Sequence, residues 1–550
     1  MQKKVIFPLA VLAAAAAFAA AVRAAGPDQP QLSPVPSANP KSVGYGPASR
    51  LSGELQQVAV AQGAMRLENP QGIVTHYGYE NDTPSAGDPS LPQMVPVGAA
   101  QTEAQKTEPD KNTYLVFKHG RQGADPSYDY GTHFLYQGHE NGAPVAEGKQ
   151  GYLTRINLDA DTDHRLTLLA SHDVTGAPIA TIDGSTWDPF AERLILTTES
   201  PSAPTYSATA DYPSQVKDVS GALGRGGYEG VQDDADGNLW IVEDIGGSTK
   251  PGSVNAKLPN SFVYRYVPAR KGDLKHGKLE ALQVLNAAGA PVTFESQSAI
   301  NAPDQVALHS YGASFATRWV TVHDTATDGS APFNANTAAK AKHATPFKRP
   351  ENGVFRPGSH FGEFFFTETG DTNATSTENA TAGGWGGLFK LTQSGPSAST
   401  GKISVFFKGS LGVTGLDNLT FLSTGRLAVG EDAGDTLHSQ RNGLDSAFVF
   451  DVGTDYAAGA APVRWLAEGR DAPATIDSAS GGFGKNDGDN EITGVHVSNG
   501  DPGPAGILGA KNPNLGDSKW RWFYTQQHGD NVTYEVLVGS RADHGDNDDD

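Results

Sequence analysis

Cysteine is absent from all 550 residues. That excludes disulfides, zinc–thiolate sites, iron–sulfur clusters, thiol-linked lipid and cysteine nucleophiles. Basic charge is scarce too: 41 Lys and Arg stand against 62 Asp and Glu, for a formal net charge of −21. A nucleic-acid partner is therefore not expected, because a phosphate backbone needs a basic surface to displace its counterions. After the first two dozen residues no apolar run is long enough to span a bilayer. HExxH and GxSxG are missing, which leaves a zincin or an α/β-hydrolase triad without support. The run Gly383-Gly384-Trp385-Gly386-Gly387 lacks the Lys-Ser/Thr ending of a P-loop and reads as a turn before a strand. No helical periodicity persists beyond two or three turns.

Turn formers are what the chain has in excess, with 65 Gly and 35 Pro. The 37% of hydrophobic residues still suffices for a large core. Lys3 and Lys4 precede an apolar stretch from Val5 to Val22, and Val22-Arg23-Ala24 offers a cleavage site, so residues 1–24 read as a signal peptide. No twin-arginine pair precedes the stretch. The expectation is a Sec-type route to the periplasm or outside the cell, a cut near Ala24, and no membrane attachment afterwards. Residues 25–108, rich in Pro, Gly, Ser and Ala, read as an irregular lead-in that wraps the domain, and 541–550 as a solvated acidic tail.

Between these ends, at 109–540, a unit recurs. An apolar strand closes on polar or acidic residues at Leu194–Glu199, Leu239–Asp244, Trp319–Asp324, Phe364–Thr369, Leu427–Asp432 and Trp522–Gln527, the last followed by His528. Several copies follow a polar start, a short strand and a Gly-containing turn, as in Glu229-Gly230-Val231 with Asp236-Gly237-Asn238, or Asp417-Asn418-Leu419 with Thr424-Gly425. That is a β-hairpin. The spacings from Glu199 to Glu243 and from His323 to Glu368 suit the roughly 40–45 residues of a propeller blade. The expected fold is all-β, a six-bladed β-propeller with long inserted loops. A pair of β-sandwiches is the alternative, and it leaves the recurring acid unexplained.

Inner strands of a propeller converge on an axial channel, so acids at equivalent positions would gather there. Carboxylates that close together cannot all stay ionised without cations, and hard oxygen-seeking ions are the natural partners. Glu199, Glu229, Glu243, Glu351, Glu431 and Glu491 are the candidates. At each one the simpler reading is an acid at a blade turn accepting backbone hydrogen bonds. The runs Asp159–Asp163 and Asp487–Glu491 have calcium-like spacing but complete no helix–loop–helix motif, and read as surface loops.

Five segments together resemble the PhoX family of secreted bacterial alkaline phosphatases. They are GSTWDPFAERLILTTES (184–200), GRGGYEGVQDDADGNLWIVEDIGG (224–247) with NSFVYRYVP, KRPENGV (348–354), GLDNLTFLSTGRLAVGEDAGD (415–435), and EITGVHVS with YTQQHG. The resemblance implies a small phosphate ester as substrate and a channel holding ferric and calcium ions on Glu and Asp. It implies that Arg349, in the Arg-Pro-Glu motif, contacts phosphate and that Glu351 and Glu229 are metal ligands. Glu199, Glu243, Asp244, Glu431, Asp432 and Glu491 are further candidates. One position departs from the family: Thr198 stands where a Cys ligates iron, which shifts the expectation from Fe³⁺ towards Ca²⁺. The chain is expected to act as a monomer. A Ca²⁺-dependent phytase-like or lactonase-like hydrolase, or a Ca²⁺-stabilised binding propeller, are the other readings of the same ring.

Overall fold

The computed structural model describes residues 31–37, 49–79 except 64 and 73, 107–294 except 142, 143, 146 and 147, 302–468 except 442, 491–527 and 531–539. The signal-peptide region, Asp487–Asn490, His528 and the acidic tail lie outside the described residues.

Six antiparallel blades follow one another along the chain: I (109–170), II (185–218), III (228–285), IV (353–408), V (416–468) and VI (492–538). Their first strands are Pro109–Val116, Ser185–Asp188, Tyr228–Asp233, Gly353–Phe355, Leu416–Ser423 and Ile492–Ser498. Each first strand touches the first strands of both neighbouring blades, so the six close a ring around an axis. The all-β propeller expected from the hairpin pattern is the fold observed.

Blade VI is completed from the other end of the chain. Leu55–Ala61 pairs antiparallel with Val532–Val538, Leu55 opposite Val538. Ser49–Leu51 likewise adds to the outer edge of blade V, beside Val463–Glu468. Part of the lead-in is thus regular strand, and the propeller sheets begin before residue 109. Pairing across nearly the whole sequence ties the N-terminal segment to the last two blades.

One repeat unit was misassigned by sequence. Trp319–Asp324 is not the second strand of a blade; it belongs to Phe315–Asp324, which joins the outer strand of blade III to that of blade IV. Its exposed residues (Ala316, Arg318, Thr321) fit a strand on the outside of the propeller with one face to solvent rather than a doubly buried one. The missing copy is His133–His139 of blade I, which ends on Glu140.

Apolar residues fill the gaps between blades in six clusters. Between blades III and IV, Trp240 stands edge-on to Trp319 and Phe355, with ring centroids 5.0 Å from both. Truncating such a buried Trp to Ala costs about 3–5 kcal/mol. Where the inner strands of neighbouring blades meet, some positions have no room for a side chain. A Cβ on Gly184 would sit 1.9 Å from the Glu229 carbonyl oxygen of the next blade. Close-packed wedges of this kind hold the inner strands rigid, and the functional groups sit on them.

Candidate active site

The acids reach the channel through a local irregularity. In blades I, III and V the first hairpin slips register at the acid itself, between Pro109 and Asn112, Tyr228 and Val231, and Leu416 and Leu419. A bulge re-aims the side chain that plain alternation would send elsewhere. Asp110, Glu229 and Asp417 sit within these bulges and are at most 5% exposed.

Nine carboxylates converge in four overlapping groups, each with one oxygen per residue within 4.8 Å of the others. The groups are Asp110–Glu140–Glu491, Glu140–Asp183–Glu199, Glu199–Glu229–Asp244 and Glu229–Glu351–Asp417. The last is wholly buried, whereas Glu140, Glu199 and Glu491 are partly exposed and mark the mouth. Burial pushes Asp110 and Glu199 up to about 7, with Asp417 and Asp244 respectively adding repulsion. It also drives Glu140, Asp183, Glu229, Glu351 and Glu491 well above the usual carboxylate range. Protein cations are few here: Arg349, and Lys111, whose ammonium is pulled down by burial and up by Asp417, Asp110 and Glu229.

Arg349 grips Asp244 through Nε and Nη2, at 3.0 and 2.9 Å from Oδ1 and Oδ2. The same Nη2 lies 3.2 Å from Glu351 and 3.9 Å from Asp432. Its backbone is left-handed, φ +55°, where the matching positions of blades III and V carry Gly227 (+62°) and Gly415 (+60°). All three carbonyls accept the N–H that follows the second strand, from Thr369, Asp244 and Asp432. A non-glycine residue here costs about 1–3 kcal/mol, a strain that persists at functional sites when surroundings enforce it. The enforcement is visible: buried Lys348 pairs with Asp371 and Glu378, Lys250 pairs with Glu378, and the Lys348 N–H donates to Glu368 at 2.7 Å.

Sequence reasoning placed Glu199, Glu229, Asp244, Glu351 and Glu491 in the channel, and the structure brings these five together. Asp432 faces the same chamber beside Arg349 but outside the four groups. Glu243 and Glu431 do not belong to it. Glu243 accepts from Phe262 N, Tyr264 Oη and Asn336 Nδ2, at 3.0, 3.2 and 3.0 Å. Glu431 takes Arg441 at 3.0 Å and the N–H groups of Thr414 and Ser446, both at 2.9 Å. Strand alternation explains the split: the residue closing the strand faces the blade interior, and the next one faces the axis. Asp110, Glu140, Asp183 and Asp417 were missed. Asp417 had a signal, since Asp417-Asn418 repeats the polar start of Glu229-Gly230, and Asp110-Lys111 and Asp183-Gly184 repeat it again.

The donor set suits a hard cation. Every convergent ligand is oxygen, and Gln527 Oε1, buried beside Glu140, has no hydrogen-bond partner among the described residues. Thr198, at the position of the family's cysteine, donates to the Pro204 carbonyl at 3.1 Å and aims no ligand at the axis. Of the two acidic runs, Asp159 accepts from the N–H groups of Thr132 and His133 and Asp161 from that of His164, as in surface turns.

Fold and site together define a six-bladed propeller with an acid-walled axial chamber. Residues 257–501 match the family model of alkaline phosphatase PhoX. That segment, somewhat under half of the chain, is similar to the alkaline phosphatases of the PhoX family. Among solved structures, Pseudomonas fluorescens PhoX in complex with vanadate, a transition state analogue, superposes with TM-score 0.52 at 11% identity, covering 92% of this chain and 98% of that one. A Pseudomonas aeruginosa periplasmic gluconolactonase gives TM-score 0.31 at 12% identity over 80% of this chain and 91% of its own, too distant to carry an argument. No curated protein matches the sequence.

Proposed function

We propose that the protein hydrolyses phosphate monoesters at a divalent-cation centre held by the channel carboxylates. The observation that carries this is Arg349, whose guanidinium lies at the rim of the buried Glu229–Glu351–Asp417 group. A fork of donors beside a set of hard-cation ligands is the arrangement a phosphoryl group requires. Glu199, Glu229, Asp244, Glu351 and Asp417 would hold the inner cations, and Asp110, Glu140, Asp183 and Glu491 the outer ones. The all-oxygen set favours Ca²⁺ over iron. Bound cations would supply charge neutralisation at the phosphoryl oxygens and a lowered pKa for the attacking water.

The chain's own residues do the rest. Hydrolysis joins a water oxygen to phosphorus and breaks the ester P–O bond, with the leaving alkoxide taking up a proton. Arg349 orients the ester: Nε and Nη2 stay on Asp244, and Nη1, which takes no part in those bonds, meets a phosphoryl oxygen. Asp244 thereby acts as the clamp that points the guanidinium. Vanadate binding by the Pseudomonas fluorescens relative supports a phosphoryl site in this fold. Export through a Sec-type signal fits a periplasmic or secreted hydrolase; among the described residues no helix is long and apolar enough to cross a membrane.

Purified full-length protein should contain calcium and release p-nitrophenol from its phosphate ester. EDTA should abolish turnover and Ca²⁺ restore it, and Arg349→Ala should lower kcat/KM by at least about 10²-fold, the scale of losing one charge-stabilising donor. Full activity in metal-free protein, or in Arg349→Ala, overturns the reading.

A further inference from the structure

Three strand ends surround Arg349, and each runs on into the wall of one cavity. Asp244 holds the guanidinium, Asp432 lies 3.9 Å from it, and the Thr369 N–H donates to the Arg349 carbonyl. Downstream of these three positions, residues from segments 249–257, 371–373 and 433–436 line a space of about 320 Å³. That is the lower end of the range for small-molecule sites.

The walls are tied in place. Lys250 makes a buried ion pair with Glu378, Asn255 Nδ2 donates to Thr375 Oγ1 at 2.6 Å, and the Lys257 N–H donates to Asp371 Oδ1 at 3.0 Å. Thr372 has φ +45°, a left-handed conformation that a β-branched residue holds only under constraint, as at ligand sites. The Asp371 carboxylate is already balanced by Lys348 at 3.0 Å. Among the described residues, the hydroxyls of Thr249, Thr372 and Thr436 have no hydrogen-bond partner, and the ammonium of half-buried Lys257 has neither a hydrogen bond nor an ion pair. The cavity therefore offers polar groups that are not yet engaged, and one of them is a cation.

We propose that this cavity takes the alcohol half of the phosphate ester, and that Lys257 selects alcohols carrying a carboxylate. The proposal rests on the phosphatase reading of the Arg349 site and names its substrate class, phosphate esters of polyol or sugar acids. Threonine hydroxyls and the amides of Asn255 and Asn373 match a hydroxyl-rich chain. No aromatic side chain among the described residues lines the cavity, so a nucleobase has nothing to stack on. One unpaired ammonium, a compact point charge, matches one carboxylate rather than a second phosphate dianion. With its phosphoryl group on Arg349 and its carboxylate on Lys257, the ester is held at both ends.

The test compares phosphate release from 6-phosphogluconate and glucitol 6-phosphate, which share a carbon chain and differ by a carboxylate for a hydroxymethyl group. Full-length protein in calcium should favour 6-phosphogluconate in kcat/KM by about fivefold, the scale of one partly exposed ion pair. Lys257→Gln should bring the ratio to about one, whereas Lys275→Gln, which removes an exposed charge elsewhere, should keep the wild-type ratio. The proposal is overturned if wild type shows no preference, if Lys257→Gln keeps it, or if Lys275→Gln loses it equally. Turnover of neither ester would defeat the phosphatase reading on its own account. Calorimetric titration with the same two esters then still decides the role of Lys257: a tighter grip on 6-phosphogluconate that Lys257→Gln abolishes supports it, and equal affinities in wild type overturn it.

Discussion

Glu243 and Asp244 are adjacent in the chain and meet opposite fates. Asp244 faces the axis, where eight other carboxylates crowd the same chamber and, among the described residues, Arg349 and Lys111 oppose them. Glu243 faces the blade, fully buried, and accepts three hydrogen bonds from neutral donors. Glu431 and Glu368 repeat the second arrangement with a cation or an imidazole added, Arg441 in one case and His309 in the other. The blade-facing acids are latches that tie a strand end to the segment following it. The axial acids outnumber the cations beside them, and their excess charge is what a bound cation would balance. One residue of register therefore separates architecture from chemistry.

The comparison breaks most sharply by neutralising one acid of each kind. Glu351→Gln should lower kcat/KM on p-nitrophenyl phosphate by at least about 10³-fold, since it removes an innermost ligand and a neighbour of Arg349, while leaving Tm in chelator unchanged or higher. Glu431→Gln should do the reverse. It breaks a buried pair with Arg441, both side chains at most 7% exposed, at a cost of about 3–5 kcal/mol. Calcium content and activity of the remaining folded protein should stay at the wild-type level. Loss of bound calcium in Glu431→Gln, measured by elemental analysis, would erase the distinction.

A third fate sharpens it. Glu468 is fully buried, has no salt-bridge partner among the described residues, and its Oε2 accepts from Tyr524 Oη at 2.9 Å. Burial raises it to about 8. The unfolded carboxyl has the usual value near 4.5, so between about 4.5 and 8 the folded state holds a proton that the unfolded chain has released. Stability then falls as pH rises through that window, by up to about 1.4 kcal/mol per unit. Glu468→Gln should flatten the fall, read as Tm against pH in chelator. An unchanged slope would show that the carboxyl is ionised in the fold.

Much of this was legible in the sequence, and the gaps have physical causes. Apolar strands ending on polar residues and broken by Gly-containing turns gave the blade pattern and its sixfold count. The count came out right through two compensating errors, because Trp319–Asp324 has a blade strand's composition but bridges two outer edges, while Phe134–Glu140 was overlooked. Composition reports that a strand is apolar, not which layer of a blade it occupies. The chamber was half legible. Choosing the recurring acid at the strand end picks the wrong residue at Glu243 and Glu431, and bulges at Asp110, Glu229 and Asp417 are invisible to a period-two pattern. Arg349 was found by its motif; that it holds a glycine-type backbone conformation emerged only from the coordinates.

The smallest effect tests the latch reading directly. Burial drives Glu243 well above the usual range, and its partners are an amide, a phenol and a side-chain amide rather than a guanidinium. Burial disfavours the charged form of a carboxyl so placed, which is why an amide of the same shape can replace it. All three donors converge on Oε2, and Oε1 has no partner among the described residues, so a glutamine can offer its oxygen to the donors and leave its nitrogen at the unpartnered position. Glu243→Gln should therefore shift stability by no more than about 1 kcal/mol, within the net value of one ordinary hydrogen bond, and leave activity intact. The contrast with Glu431→Gln then depends only on whether a cation faces the acid. If Glu243→Gln instead loses several kcal/mol in denaturant melts, the carboxyl is ionised despite its burial, with the Lys340 ammonium contributing to its charge balance.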